Sequence, residues 1–186
     1  MTHGQNQALD PSPFIESLGS DCPFRREAAA LTLGGLGNPR AGRPLAGLLL
    51  REVASVEYTG EVENEDVLRA GSDAIRRLGA TESLYAVIKA ICALGASEIV
   101  ERETVETLID CVAEIGGPTA VREAADKVVR RAREQFDYCP GMDTVAVVVF
   151  DRLGLCGDTG LSTLRRLALA GPAPLRPLAE HALSMA

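Results

Sequence analysis

The sequence predicts an all-α protein made of stacked helical pairs, and three observations carry that prediction. The first is composition. Of 186 residues, 46% are apolar but only 4% aromatic, with no Trp, which suits closely packed helices better than a sandwich or a barrel. The second is a recurrence: LGGLG ending at Gly37, IRRLG at Gly79, VAEIG at Gly116 and FDRLG at Gly154 each close on an aliphatic residue and a glycine, 42, 37 and 38 residues apart. A period of that size without strand alternation marks stacked helical hairpins. The third is the helical spacing of apolar residues inside each unit.

Taken in order, the polar residues 1–10 are expected to form a disordered tail, which leaves 11–186 as a single domain. PSPFIESL then looks like a lone second helix serving as a cap. In DCPFRREAAALTLGGLG, Asp21 is the expected N-cap and Pro23 lies where a missing N–H does no harm. Phe24, Ala28, Leu31 and Leu36 recur at helical spacing and are expected on the core face, while Ala29 and Ala30 keep the helix thin. Gly37 supplies a left-handed residue, Asn38 and Pro39 restart the chain, and Leu45, Leu48 and Leu49 stripe the second helix.

Three further pairs follow the same plan. ENEDVLRAGSDAIRRLG pairs with ESLYAVIKAICALG, ERETVETLIDCVAEIG with PTAVREAADKVVRRAREQ, and DTVAVVVFDRLG with DTGLSTLRRLALAG. PAPLRPLAEHALSMA is a lone first helix that caps the other end. Glu52 to Asp66 is expected to be an exposed helix extension plus loop, and EQFDYCPGMD from Glu134 to Asp143 a second irregular connection. TVAVVVF has local β propensity, but the repeat register overrules it and predicts helix.

Arg26, Ala29, Ala30, Leu36, Gly37, Asn38, Pro39, Arg40 and Ala41 carry an Arg-x-x-Ala-Ala face followed by an aliphatic-Gly-Asn-Pro-Arg-Ala turn. This pattern resembles the HEAT-like repeat of the phycobilisome lyase type. Leu175 to Ala179 with Ala182 and Leu183 matches the same helix, whereas the middle units keep only the spacing and the turn. The resemblance implies an α-α superhelix of about four helical pairs plus capping helices. It also implies, as an alternative function, a bilin lyase subunit or tetrapyrrole-handling chaperone, whose pigment propionates would suit arginines and whose rings would pack on Tyr58 or Tyr85.

Little in the chain suggests catalysis. Gly35, Gly37 and Arg40 imitate part of a dinucleotide fingerprint, but an alanine-rich helix precedes them where a buried strand is required. His3 and His181 are the only histidines; a metal centre normally draws on several convergent His, Cys or carboxylate ligands, and a Ser-His-Asp arrangement would have to use one of these two. Deoxyhypusine hydroxylase shares the repeat type but depends on His-Glu motifs, and no His-Glu dipeptide occurs here. Cys22-Pro23 and Cys139-Pro140 resemble haem-regulatory motifs, yet helix initiation and turn chemistry account for both. Cys92 and Cys111 sit among apolar helical residues and are expected in the core. The five cysteines form no CxxC pair and no signal peptide is evident, so free thiols in the cytoplasm are expected. No catalytic residue, metal or cofactor is assigned.

Charge placement is the functional lead. With second helices at 39–54, 82–95, 118–135 and 158–169, these segments hold 11 of the 19 basic residues but 6 of the 26 acidic ones. They are therefore net basic in a chain whose net charge is −7. In stacked repeats the second helices usually line the concave surface, so a basic groove is expected there. Its partner would be a protein that is acidic at the contact, bound by a non-enzymatic scaffold or adaptor through Arg40, Arg43, Lys89, Arg122, Arg130 and Arg165. The competing explanation is a solvated face with pairs such as Arg122 with Asp126 and Glu123 with Lys127. Overall acidity and the lack of Trp argue against a nucleic-acid-binding repeat, no segment is apolar enough to span a bilayer, and a homodimer remains open.

Overall fold

The computed structural model describes residues 9–54, 56–134 and 140–186, with backbone alone for Glu57, Tyr58 and Pro140. The described chain is helical, with no strand. The helices are α1 (Ser12–Ser17), α2 (Pro23–Leu36), α3 (Gly42–Glu52), α4 (Val56–Thr59), α5 (Glu65–Leu78), α6 (Leu84–Leu94), α7 (Arg102–Glu134), α8 (Pro140–Gly154), α9 (Gly157–Ala170) and α10 (Arg176–Met185). Single 3-10 turns at Pro39–Ala41, Thr81–Ser83 and Ala173–Leu175 lead into α3, α6 and α10.

The turn residues of the first two pairs lie where the recurrence puts them, with Gly37 at φ 65° and Gly79 at φ 60°. In the later pairs the left-handed residue has moved. Gly116 and Gly154 are helical, and the reversals fall on Gly117 (φ 64°) and Gly157 (φ 63°). Gly117 breaks α7 into two arms, 102–116 and 118–134, and Pro118 opens the second where its missing N–H is harmless. Gly116 is needed for space instead: a Cβ there would lie 2.4 Å from the Ala120 Cβ.

The first pair corrects the expected orientation of its first helix. α2 buries Arg26, Ala29, Ala30, Leu33 and Gly34, while Phe24 and Leu31 stay 78% and 50% exposed, Ala28 is exposed and Leu36 half-buried. The cause is the approach of α5. A Cβ on Gly34 would stand 2.9 Å from the Ala74 Cα, so the small face of α2 must meet α5 and the bulky face turns outward. The N-cap is Cys22 rather than Asp21, and the Ser20 hydroxyl accepts its N–H at 3.2 Å. In α3 the expected stripe of Leu45, Leu48 and Leu49 is fully buried or nearly so.

Glu52 also departs from expectation. It is enclosed, as are Val53 and Val56, because Glu52 forms a two-point ion pair with Arg26. The Arg26 Nη2 donates to Oε2 at 2.9 Å, and Nε lies 2.8 Å from Oε1. Asn64 Nδ2 donates to the same carboxylate at 3.2 Å. The acidic connection is thus pinned at both ends, and its exposed carboxylates include Glu61, Glu63 and Asp66.

TVAVVVF is helical within α8, and Val145, Ala146, Val148, Val149 and Phe150 are buried. Burial between neighbouring helices outweighs the local strand propensity of these residues. α8 already begins at Pro140, so residues 140–143 of the expected irregular connection are helical, and residues 135–139 lie outside the described part. The first helices α2, α5, the first arm of α7, and α8 touch in chain order, and α10 closes the row on α8. Ion pairs mark this row: Arg76 to Glu114 at 3.0 Å and Arg152 to Asp110 at 2.8 Å between helices, and Arg69 to Glu101 at the entry of α7.

Candidate partner-binding face

The second helices α3 and α6 each present a narrow exposed stripe, since their other faces are spent on the core. On α3 the stripe includes Arg43 and Gly47, and on α6 it is Tyr85 and Lys89 with half-buried Cys92. The second arm of α7 offers a broader face, being seated by Ala120, Val121, Ala124, Ala125, Val128 and Val129. Its exposed residues include Arg122, Glu123, Asp126, Arg130 and Arg133.

All six residues picked from sequence are exposed: Arg40 before α3, Arg43 on α3, Lys89 on α6, Arg122 and Arg130 on α7, and Arg165 on α9. Among the described residues none of these side chains enters an ion pair within 4 Å. Arg40 acts at longer range on Asp10, whose carboxyl is held below its ordinary value mainly by the Ser12 N–H and hydroxyl. Five of the first-helix arginines behave differently: Arg26, Arg76, Arg102 and Arg152 each bridge to a carboxylate on another helix, and Arg69 bridges to Glu101 just before α7.

The structure gathers part of the predicted set. Lys127 caps the Tyr85 ring, with Nζ 5.3 Å from its centroid, and Lys89 follows Tyr85 one turn along α6. Burial pushes the Cys92 thiol up to about 11, against the opposing pull of Lys127, Arg131 and Arg130, so these cations border the α6–α7 seam. Beyond them a cleft of about 400 Å³ lies between α7 and α9, lined by Asp126, Val129, Arg130, Arg133, Arg166 and Leu167 among others. Arg40 and Arg43 lie at the other end of the chain of second helices.

One of the two expected pairings changes partner. Glu123 and Lys127 pair at 3.0 Å as expected, but Asp126 bridges Arg166 of α9 at 3.0 Å and not Arg122. Arg166 therefore lines the α7–α9 cleft, and Arg165, one residue earlier and about 100° round the helix, does not. Arg133 and Arg166 were legible as basic residues of second helices. Their convergence needed the contact between α7 and α9.

The remaining candidates are scattered. Gly35 lies within α2 and Gly37 at its end, so the glycine-rich stretch is a helix hairpin. His181 is exposed on α10, and His3, Cys139 and the Tyr58 side chain lie outside the described residues. Cys22 is exposed, Cys92 and Cys156 half-buried and Cys111 buried. Among the described residues no group of three His, Cys, Asp or Glu is placed to hold a metal, and no helix is long and apolar enough to cross a membrane.

Burial pushes the Cys111 thiol up to about 12 from an ordinary 9.0. Between those values the folded chain holds a proton that the unfolded chain has released, so stability contributed below pH 9 is lost as pH rises toward 12. Iodoacetamide labelling at pH 8 is expected to modify exposed Cys22 first and to reach Cys111 only after denaturation; tryptic mass spectrometry reads the order. No protein-family model matches this sequence, and no curated protein is detectably similar to it.

Proposed function

We propose that this chain is a non-catalytic adaptor of HEAT-like architecture, whose second helices line a concave face that binds an acidic segment of another protein. The observation that carries this reading is the division of labour among cations. Five first-helix arginines, Arg26, Arg69, Arg76, Arg102 and Arg152, are engaged in bridges to other elements, whereas among the second-helix cations, Arg166 apart, Arg40, Arg43, Lys89, Arg122, Arg130 and Arg165 are exposed with no ion pair among the described residues. A purely solvated helix face would be expected to pair Arg122 with Asp126, yet Asp126 is taken by Arg166. Unpaired cations on a row of helices raise the association rate of acidic partners and orient them, while affinity comes from a few anchors such as Tyr85 and the cleft at Arg130.

Charge reversal at Arg40, Arg43, Arg122 and Arg130 tests this. The fourfold Glu variant should keep the helical circular dichroism of the parent, because none of the four contributes to the core, and should lose its partner in a pull-down at low salt. Capture of the parent's partner should also weaken as salt rises from about 50 to 300 mM, where the screening length falls below about 10 Å. Partner recovery unchanged in the fourfold variant would overturn the proposal.

A further inference from the structure

The outward face of α2 leaves Phe24 and Leu31 in solvent, 78% and 50% exposed and seven residues apart. Two turns of helix separate them by about 10 Å along the axis, on nearly the same side. Each lines a cavity. Phe24 borders one of about 310 Å³ together with Val62, and Leu31 borders one of about 400 Å³ between α2, α5 and the first arm of α7. The two cavities share Glu27, Asp66 and Arg69, so they form one continuous groove along α2.

The groove is strongly acidic. Its lining holds eight carboxylates and two guanidiniums. Both guanidiniums are already engaged, Arg69 by Asp66 and Glu101, and Arg76 by Asp73 and Glu114. Glu27 and Glu103 enter no ion pair among the described residues and face the groove at its centre and far side. Two apolar anchors at helical spacing inside a negative rim are complementary to one kind of surface, an amphipathic helix with apolar residues at i and i+7 and Lys or Arg beside them.

We infer that the α2–α5 groove is a second docking site, and that its occupant is a basic amphipathic helix of a partner protein. It lies on the first helices, away from the basic second-helix face, so it stands or falls independently of the proposed acidic-partner site. A chain with both would join a basic partner to an acidic one through opposite layers.

The test uses the full chain and a fluorescein-labelled helical peptide carrying two Leu seven residues apart with Lys on both flanks, read by fluorescence anisotropy. A scrambled peptide of identical composition is the control for charge attraction alone. Saturable binding of the designed peptide is expected, with the scrambled one about tenfold weaker. F24S/L31S should weaken binding about tenfold, and E27K/E103K should weaken it and flatten its salt dependence. R43E/R130E, on the other layer, should leave it unchanged. Hydrogen exchange should show peptide protection on α2 and α5. Equal affinity for both peptides, no binding, or an F24S/L31S chain that binds like the parent would overturn the inference; because both side chains are exposed, that variant should fold, and E27K/E103K supplies a second reading.

Discussion

Replacing Glu52 with Ala is expected to destabilise the protein by about 3–5 kcal/mol, the cost of leaving one charge of a buried pair unanswered. The Glu52 side chain is 3% exposed and that of Arg26 9%, so water cannot solvate the abandoned guanidinium fully. Arg26 also donates from Nη1 to the Ser20 carbonyl at 2.9 Å and the Asp21 carbonyl at 3.0 Å. The pair therefore ties the entry of α2 to the end of α3, and Asn64 Nδ2 adds the entry of α5. In a chain of this size such a loss corresponds to a fall in Tm of about 10 °C. Calorimetry on Glu52→Ala, Arg26→Ala and the double variant Arg26→Met with Glu52→Leu would check it. The double variant should recover most of the loss, since an apolar pair of similar volume carries no desolvation penalty. A single variant within about 1 kcal/mol of the parent would show that the pair is solvated in solution.

The second large effect is expected at Gly160, near the start of α9. A Cβ there would lie 1.9 Å from the Leu153 carbonyl oxygen and 3.0 Å from its carbon. Both are backbone atoms of α8, so relief requires the two helices of the last pair to separate. Gly160→Ala should cost about 1–3 kcal/mol or more by overpacking, despite the better helix propensity of Ala. Gly47 gives the contrast: it lies inside α3 with nothing within 4 Å of an added Cβ. Gly47→Ala should stabilise by about 0.5–1 kcal/mol, the propensity gain alone. Urea denaturation of the two variants decides the matter by sign, and a Gly160→Ala chain as stable as Gly47→Ala would refute the packing account.

Much of the fold was legible because it rests on local spacing. The second helices expected at 39–54, 82–95, 118–135 and 158–169 correspond to Pro39–Glu52 in two pieces, Thr81–Leu94 in two pieces, the second arm of α7, and α9. The leucine stripe of α3 and the helical state of TVAVVVF followed from the same period. The candidate site was legible as a list of cations and less so as a place. Arg130 joins Arg133 and Arg166 in one cleft, and no pattern within a single helix could have chosen Arg166 over Arg165, because the selecting partner, Asp126, is 40 residues away.

What the amino-acid order determined by itself is therefore the all-helical state, the period, and the bias of basic residues toward the second helices. The helical state depends on neighbours a few positions apart, where intrahelical geometry is invariant, and the period and the charge bias are recurrences along the chain that need no contact to be seen. The tertiary structure alone decided which face of α2 is buried, which glycine reverses the chain at 117 and 157, and that Glu52 is enclosed with Arg26. α2 has two faces with apolar residues, one small and one bulky, and helical spacing cannot rank them. The choice belongs to α5, whose backbone comes so close at Ala74 that only the Ala29, Ala30 and Gly34 side fits against it. Phe24 and Leu31 are turned outward by that same contact, and so the acidic apolar groove exists only once the helices have packed.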